Sequence, residues 1–188
     1  MCEMNCSDLH KQWYTDSCLD ESRYMVSIRL MLPHEWHLHR EVRLQALLDA
    51  PHAFGSSYEA EAKRCNYEWQ QVIETALASG KNHVYLAESD GMVCGLVWCK
   101  LSVMDTGLAE IFQMWVNPKH RGIGVGEKLL QAAIECARNH SMERIGLEVT
   151  ATNSAAAAFY QSQGFQQAGE VGLTNVASED THAFLFQL

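Results

Sequence analysis

The segment Asn117–Gly126 constrains the fold more than any other part of the chain, because three of its residues are alternating glycines. An alternating apolar stretch that predicts a strand, 109–116, precedes it, and a stretch with apolar residues at helical spacing, 127–140, follows it. A further strand is predicted over 144–149. Together these elements form a β–α–β unit, so the two strands should be parallel and joined in a right-handed sense.

The rest of the chain predicts short strands and helices around this unit. The other predicted strands are 25–31, 83–88, 92–103, 165–172 and 181–187. The other predicted helices are 34–50, 59–78 and 154–162. The pair Asp90–Gly91 between two alternating stretches is a strong hairpin signal. The expected fold class is therefore α+β, a mostly antiparallel sheet with one central parallel pair, flanked by helices.

Length and composition suit one globular domain with a tail. The chain has 188 residues, of which 47% are apolar and 20% are charged. Residues 1–24 show no sustained period and are predicted to be an N-terminal tail, which leaves 25–188 as the domain. With 14 Lys and Arg against 23 Asp and Glu, the net charge is −9. Partners such as nucleic acids and anionic membranes are therefore not expected, and an anionic ligand needs a locally positive site.

Membrane insertion, export and metal binding are also not expected. No stretch approaches the about 20 apolar residues of a membrane-spanning helix, and the polar first 25 residues do not resemble a secretory signal. The 7 cysteines are scattered without a CxxC pair, which predicts reduced thiols and a cytoplasmic location. Two groups of possible metal ligands are Cys2, Cys6, His10 and Cys18 in the tail, and His34, His37 and His39 further on. Stray thiols and solvated or core-edge histidines explain them better, because the tail spacing matches no common zinc pattern.

The glycine-rich segment is predicted to bind a phosphate group. Glycines let main-chain N–H groups converge on a ligand, and the following helix N-terminus adds a positive dipole end. The nearby basic side chains are Lys119, His120, Arg121 and Lys128. A tight turn without a ligand is the alternative. A dinucleotide fingerprint would need glycine where Glu127 stands, and a nucleotide P-loop would need lysine directly after Gly126.

At this point the sequence resembles a known family. Arg121-x-x-Gly124-x-Gly126 matches the [QR]-x-x-G-x-[GA] loop of the GNAT superfamily of N-acetyltransferases. Downstream, the chain is similar to that superfamily's L-E-V-x-x-x-N…A…Y…G-F block at Leu147-Glu148-Val149, Asn153, Ala156-Ala157, Phe159-Tyr160 and Gly164-Phe165. The two motifs cover 109–166, and the order of the upstream elements extends the resemblance to about 25–188.

The resemblance implies a GNAT-like sheet whose central parallel strands splay apart. It also implies an enzyme that moves an acetyl group from acetyl-coenzyme A to a primary amine of a small molecule or a protein, directly within a ternary complex. A module that binds acyl-coenzyme A without turnover is the alternative. The acceptor is unidentified, although the acidic composition favours a cationic amine, and a homodimer is expected by analogy.

The resemblance further implies which residues hold acetyl-coenzyme A. The pantetheine arm would pair with main-chain groups at Met114 and Val116, between the splayed strands. The pyrophosphate would be held by amides around Arg121, Gly122, Gly124, Val125 and Gly126. Asn153 and Ala156 would contact the coenzyme near the start of the next helix, although Asn153 also suits a plain helix cap.

Catalytic groups are implied in the same way. Tyr160 would act as the general acid at the coenzyme sulfur, and a phenol that only packs in the core is the alternative. An amide of strand 109–116 would stabilise the acetyl oxygen. The amine proton needs an acceptor: Glu148 matches a base of ribosomal-protein acetyltransferases of this superfamily, and Glu110 is its rival. The acceptor site is expected around Arg40, Arg43, Phe54, Ser57 and Tyr58.

Overall fold

The computed structural model describes residues 25–168 and 180–188, which form a seven-stranded sheet of order β1-β2-β3-β4-β5-β7-β6. The strands are β1 (Ser27–Leu30), β2 (Asn82–Ser89), β3 (Met92–Leu101), β4 (Leu108–Val116), β5 (Arg144–Thr150), β6 (Gln166–Gln167) and β7 (Thr181–Gln187). Within the described chain every neighbouring pair is antiparallel except β4 and β5, which are parallel. The predicted fold class is therefore confirmed. The predicted tail and the second half of the predicted strand 165–172 lie outside the described residues.

Helices cover both faces of this sheet. They are α1 (Trp36–Asp49), α2 (Tyr58–Glu61), α3 (Asn66–Ala78), α4 (Val125–Asn139) and α5 (Ser154–Ser162), with 3-10 turns at Pro33–Glu35, Pro51–Ala53 and Pro118–His120. Side chains of a strand point alternately to opposite faces, so β2 contributes to two cores. Val84 and Leu86 pack with residues of α1 and α3, whereas Ala87 packs with α4. Among residues 25–168 and 180–188, none of the helices combines the length and the apolar character that a membrane-spanning helix requires.

The predicted hairpin between β2 and β3 is confirmed. Asp90 and Gly91 have φ angles of 52° and 75°, and Ser89 faces Met92 across the turn. Positive φ at both central residues gives a turn whose twist matches that of the flanking strands. This match explains why the Asp-Gly pair is a reliable local signal here.

The prediction of one helix over 59–78 is wrong, because the chain forms two helices, α2 and α3, there. The N–H of Cys65 donates to Oε2 of Glu68 at 2.7 Å, which caps the start of α3. At the end of α2, Glu61 is buried and pairs with Arg43 at 3.1 Å. Four residues, 62–65, separate the end of α2 at the buried Glu61 from the start of α3 at Asn66. The N-cap residue of α3 is a cysteine rather than the usual serine or threonine, so the sequence carries no common signal for a helix start at this point.

Helix α4 begins two residues before the predicted start at 127. Its N-cap is Gly124, so Val125 and Gly126 belong to the first helical turn rather than to the loop. The predicted apolar stripe of this helix is confirmed as buried: Leu129, Leu130, Ala133, Ile134 and Ala137. The main-chain N–H groups of the first turn therefore lie at the end of the glycine-rich segment, at the positive end of the helix dipole.

Strands β4 and β5 pair only at their beginnings, the last pair being Glu110 and Gly146. Beyond that point β4 stays paired with β3, and β5 stays paired with β7, so the two strands separate. Gln113 has a φ of 52°, and the register between β3 and β4 shifts beside it. Such a bulge bends a strand. The predicted splayed parallel pair is therefore present, with a bend in β4 at the opening.

Candidate active site

A cleft of about 590 Å³ opens where β4 and β5 separate. This volume lies within the range of about 300–1,000 Å³ that is usual for small-molecule sites. The lining residues come from four places in the chain: Arg43 and Ala53–Ser56; Glu110–Met114; Leu147–Thr150, Asn153, Ala156 and Tyr160; and Asp180 and Thr181. The cleft therefore brings together the three predicted catalytic side chains and part of the predicted coenzyme and acceptor sites.

Tyr160 is buried, with 8% of its surface exposed, and its hydroxyl donates to Sδ of Met114 at 3.4 Å. The phenol ring packs edge-on against Phe159 and Phe165, at centroid distances of 5.2 and 5.7 Å. Burial raises the pKa of Tyr160 above its usual value, so the phenol keeps its proton at neutral pH. Because a thioether is a weak acceptor, this O–H can turn to a better partner that enters the cleft.

Two carboxylates face the same cleft. Glu110 lies in the last paired position of β4, and Glu148 lies on β5 beyond that point. Burial, and then the negative charge of Glu110, raise the pKa of Glu148. Oε1 of Glu148 is buried and has no hydrogen-bond partner among residues 25–168 and 180–188. A carboxylate in this condition is a stronger base than an exposed one and has an oxygen available to a proton donor.

The glycine-rich segment has the backbone shape that the sequence predicts. Gly122 and Gly124 have φ angles of 76° and 82°, a region that favours glycine. A Cβ at either position would meet nothing within 4 Å, so backbone conformation rather than space requires glycine there. A Cβ at Gly126 would lie 3.5 Å from Cζ of Phe159 and 3.7 Å from Cε of Met114. The first turn of α4 therefore adjoins the cleft at Met114.

The Arg121 side chain ties this segment to α1. Its Nε donates to the carbonyl oxygen of Val116 at 2.9 Å, and its Nη2 pairs with Oδ2 of Asp49. The same Asp49 oxygen accepts from Nε1 of Trp115 at 2.8 Å. The guanidinium thus anchors the segment to the end of β4 and to α1.

Asn153 caps helix α5, because its side-chain oxygen accepts from the N–H of Ala156 at 3.1 Å. Both residues also line the cleft. The cap is therefore observed, and it leaves Asn153 beside the space in which its predicted coenzyme contact would occur.

The predicted acceptor residues separate into two groups. Arg43 and Phe54 line the cleft, but Ser57, Tyr58 and Arg40 are not among the lining residues of the described chain. Ser57 instead caps α2 by accepting from the N–H of Ala60 at 3.2 Å.

Arg43 lies in a buried network on the cleft wall. Its Nη2 donates to Oγ of Ser56 at 2.6 Å and to Oε1 of Glu61 at 3.1 Å, and its guanidinium lies 4.6 Å from the centroid of the Phe54 ring. The charge of Glu61 offsets that of Arg43. Arg43 therefore connects Ser56 and Glu61 on the cleft wall and adds no net positive charge there.

Sequence reasoning missed the contact between His39 and Gln113. Nε2 of His39 lies 2.9 Å from Oε1 of Gln113, although 74 positions separate the two residues. His39 is fully buried between Trp69 and Trp98, and burial lowers its pKa to about 4. The ring is therefore neutral at neutral pH and donates from Nε2 to Gln113. Sequence analysis also missed Asp180, which lines the cleft directly before β7, because no local motif marks this residue as part of a site.

Comparison with known proteins agrees with this geometry. The model of the acetyltransferase (GNAT) family matches residues 42–165. The chain is 31% identical over 131 residues to the N-alpha-acetyltransferase RimI of Mycobacterium tuberculosis, and the match covers 63% of this chain and 81% of the relative. It is 32% identical over 85 residues to a mycothiol acetyltransferase of Thermobispora bispora, covering 43% of this chain but only 29% of that protein.

A solved structure shows the same fold. The PaiA N-acetyltransferase of Thermoplasma acidophilum, in complex with coenzyme A, superposes with a TM-score of 0.69 at 16% identity, covering 87% of this chain and 99% of that one. Because the family model matches more than half of the chain, the chain belongs to the acetyltransferase (GNAT) family. It is an acetyl-coenzyme A-dependent N-acetyltransferase, and its acceptor group is an amine.

Proposed function

We propose that this enzyme acetylates a cationic primary amine, with Glu148 as the base and Tyr160 as the hydrogen-bond donor to the leaving sulfur. One observation carries the proposal. Where β4 and β5 separate, a half-buried carboxylate with an unpartnered oxygen and a buried, protonated phenol line the same cleft. These are the two groups that amine attack on a thioester requires.

The residues around the cleft fit acetyl-coenzyme A, which supplies the reactive thioester. Main-chain groups of β4 beyond Glu110, at Met114 and Val116, are proposed to pair with the pantetheine arm, because β5 no longer pairs with that edge. The proposed pyrophosphate site is formed by the amides of Arg121, Gly122, Gly124, Val125 and Gly126. It is supported by the positive φ of two of the glycines and by the start of α4 at that point. Asn153 and Ala156 are proposed to contact the coenzyme near the start of α5.

Glu148 is proposed to accept a proton from the incoming ammonium group. The neutral amine then forms a bond to the acetyl carbon, and the bond from that carbon to sulfur breaks. Tyr160 donates its O–H to the departing thiolate. The raised pKa of Tyr160 favours donation of a hydrogen bond over full proton transfer, because an ordinary thiol has a pKa of about 8.5. An amide of β4 is proposed to stabilise the acetyl oxygen as negative charge develops on it.

The charges on the cleft wall support a cationic acceptor. Glu110, Glu148 and Asp180 are acidic lining residues, and the charge of Arg43 is offset by Glu61. An ammonium group is therefore attracted to the cleft, whereas an acceptor with a nearby carboxylate is repelled. The similarity to an N-alpha-acetyltransferase makes a protein N-terminus one form of this acceptor, beside polyamines and lysine side chains.

The test is an amine panel with detection of released thiol. It should contain a polyamine, an aminoglycoside, a lysine peptide, a peptide with a free N-terminus and each peptide's acidic counterpart. We expect the cationic members to react fastest. In Glu148→Gln, kcat should fall by about 10²–10⁴-fold, with unchanged coenzyme binding. The matched control Glu59→Gln changes an exposed carboxylate of α2 that does not line the cleft. Coenzyme binding without turnover across the whole panel would contradict the proposal and favour a sensing module.

A cytoplasmic location and a homodimer are also proposed. The described cysteines, Cys65, Cys94, Cys99 and Cys136, are all free, as in a reducing compartment. The homodimer rests on the family resemblance, and sedimentation of the purified chain would test it.

A further inference from the structure

Three side chains that are distant in sequence or separated by a helical turn meet at the C-terminal end of α4. His83 lies in β2, Cys136 lies in α4, and His140 is the C-cap residue of α4. One potential ligand atom of each side chain lies within 4.8 Å of those of the other two. Sγ of Cys136 lies 3.9 Å from Nδ1 of His140, and the two imidazole rings have centroids 4.6 Å apart. None of the three residues lines the catalytic cleft.

The fold gives this cluster a defined geometry. Cys136 and His140 are four positions apart, so they lie on the same face of α4. The buried stripe of α4 packs on the sheet face to which β2 contributes, and that packing brings His83 next to them. Cys136 is buried and His140 is exposed, so the cluster lies at the edge of the core and is open to solvent on one side.

The state of the His83 ring points to a ligand. Its Nε2 is buried and has no hydrogen-bond partner in the described part of the chain. At His140, Nδ1 donates to the carbonyl oxygen of Cys136 at 2.8 Å. Histidines that bind metals commonly donate one ring N–H to a backbone carbonyl, which fixes the other nitrogen as the ligand. This bond leaves Nε2 of His140 as its ligand atom, and the buried Nε2 of His83 has no partner among the described residues that would compete with a metal ion.

We propose that His83, Cys136 and His140 form a binding site for a zinc ion, with solvent as the fourth ligand. Two imidazole nitrogens and one thiolate are donors that zinc prefers. Zinc bonds of about 2.0 Å to nitrogen and about 2.3 Å to sulfur place tetrahedral ligands roughly 3.4 Å apart, so the side chains need only a small closing movement. Zinc binds the thiolate form of Cys136, so a proton carried by the thiol is released to solvent on binding.

A zinc ion at this site would stabilise the fold and would take no part in acetyl transfer. It connects the start of β2 to the end of α4, roughly 24 Å along that helix from the glycine-rich segment at a rise of about 1.5 Å per residue. A zinc ion there binds the native arrangement in preference to the unfolded chain and so stabilises the fold. This inference does not depend on the proposed acceptor or on the catalytic roles.

Cobalt binding to the full chain, in the presence of a non-thiol reductant, tests the site. Cobalt reports thiolate coordination through a ligand-to-metal charge-transfer band in the near ultraviolet, and zinc should displace it. The background variant carries Cys2→Ser, Cys6→Ser and Cys18→Ser, which removes tail thiols as ligands. We expect this background to keep the band and to bind one cobalt.

Variants of the cluster then decide the outcome. Within that background, Cys136→Ser should abolish the band, and His140→Gln, at an exposed position, should weaken cobalt affinity by about 100-fold without unfolding the protein. The matched control Cys65→Ser removes a free, exposed thiol elsewhere and should change nothing. Zinc should raise the melting temperature of the background and not that of His140→Gln. A band that survives Cys136→Ser, or that is absent from the background, overturns the proposal.

Discussion

Replacing Tyr160 by phenylalanine separates a catalytic phenol from a structural one. The hydroxyl has one observed partner, Sδ of Met114 at 3.4 Å, and the ring itself packs between Phe159 and Phe165. Phenylalanine keeps the ring contacts and leaves only a thioether without a donor. Because that acceptor is weak, we expect the free energy of unfolding to change by less than about 1 kcal/mol.

The expected effect on rate is much larger. A hydrogen bond to a charged group contributes about 1.5–3 kcal/mol, and here it forms only as the sulfur gains negative charge. At about 1.36 kcal/mol per tenfold change, Tyr160→Phe should lower kcat by about 10- to 150-fold. The KM for acetyl-coenzyme A should change little, because the interaction is absent from the ground state.

The assay pairs steady-state thiol release with thermal unfolding of the same preparations. Tyr67→Phe is the matched control, because this side chain is 67% exposed and lies outside the cleft lining. A Tyr160→Phe enzyme that keeps full kcat on its best amine would refute the assignment. So would a large loss of stability together with an unchanged kcat, since that result identifies a core phenol.

Three further substitutions test other parts of the site. Glu110→Gln removes the negative charge that helps to raise the pKa of Glu148. The acidic limb of the kcat/KM–pH profile should therefore move to lower pH. An acidic limb that does not move would show that the two carboxylates are not coupled. Gly124→Ala places a Cβ at a φ of 82°, so the melting temperature should fall by an amount equivalent to about 1–2 kcal/mol. Calorimetry should also show weaker coenzyme binding than for Gly80→Ala, where φ is 65° and the residue does not line the cleft. Glu61→Ala leaves the buried guanidinium of Arg43 without its charge partner and should cost about 3–5 kcal/mol of stability by chemical denaturation, whereas the exposed Glu59→Ala should cost little.

The elements that sequence predicts well here are those whose signals are local. The Asp90–Gly91 turn, the apolar stripe of α4 and the glycines at 122 and 124 each follow from a few adjacent residues. The break between α2 and α3 has a local cause too, but Cys65 is an uncommon cap, and the inward turn of Glu61 depends on Arg43, 18 positions away. That second cause exists only after α1 and α2 have packed together.

The acceptor side of the cleft was also less predictable from the sequence, because it too depends on contacts between distant residues. Its wall is built from the segment after α1, from the bulge of β4 and from Asp180, which meet only in the folded chain. The family resemblance predicts Ser57 as a substrate contact because it lies between the first two predicted helices, yet its hydroxyl caps α2. Short polar residues serve helix ends and ligands equally well, so spacing alone does not distinguish the two uses.

The bend in β4 depends on helix α1. A non-glycine residue with φ near 52°, such as Gln113, costs roughly 1–2 kcal/mol in backbone energy, so other contacts must maintain it. Neutral His39 of α1 supplies one by donating to the Gln113 side chain, and Asp49, at the end of the same helix, binds both Trp115 and Arg121. One helix thus fixes both the strand that opens the cleft and the segment proposed to bind the pyrophosphate, which gives a physical reason for the two to keep their relative geometry.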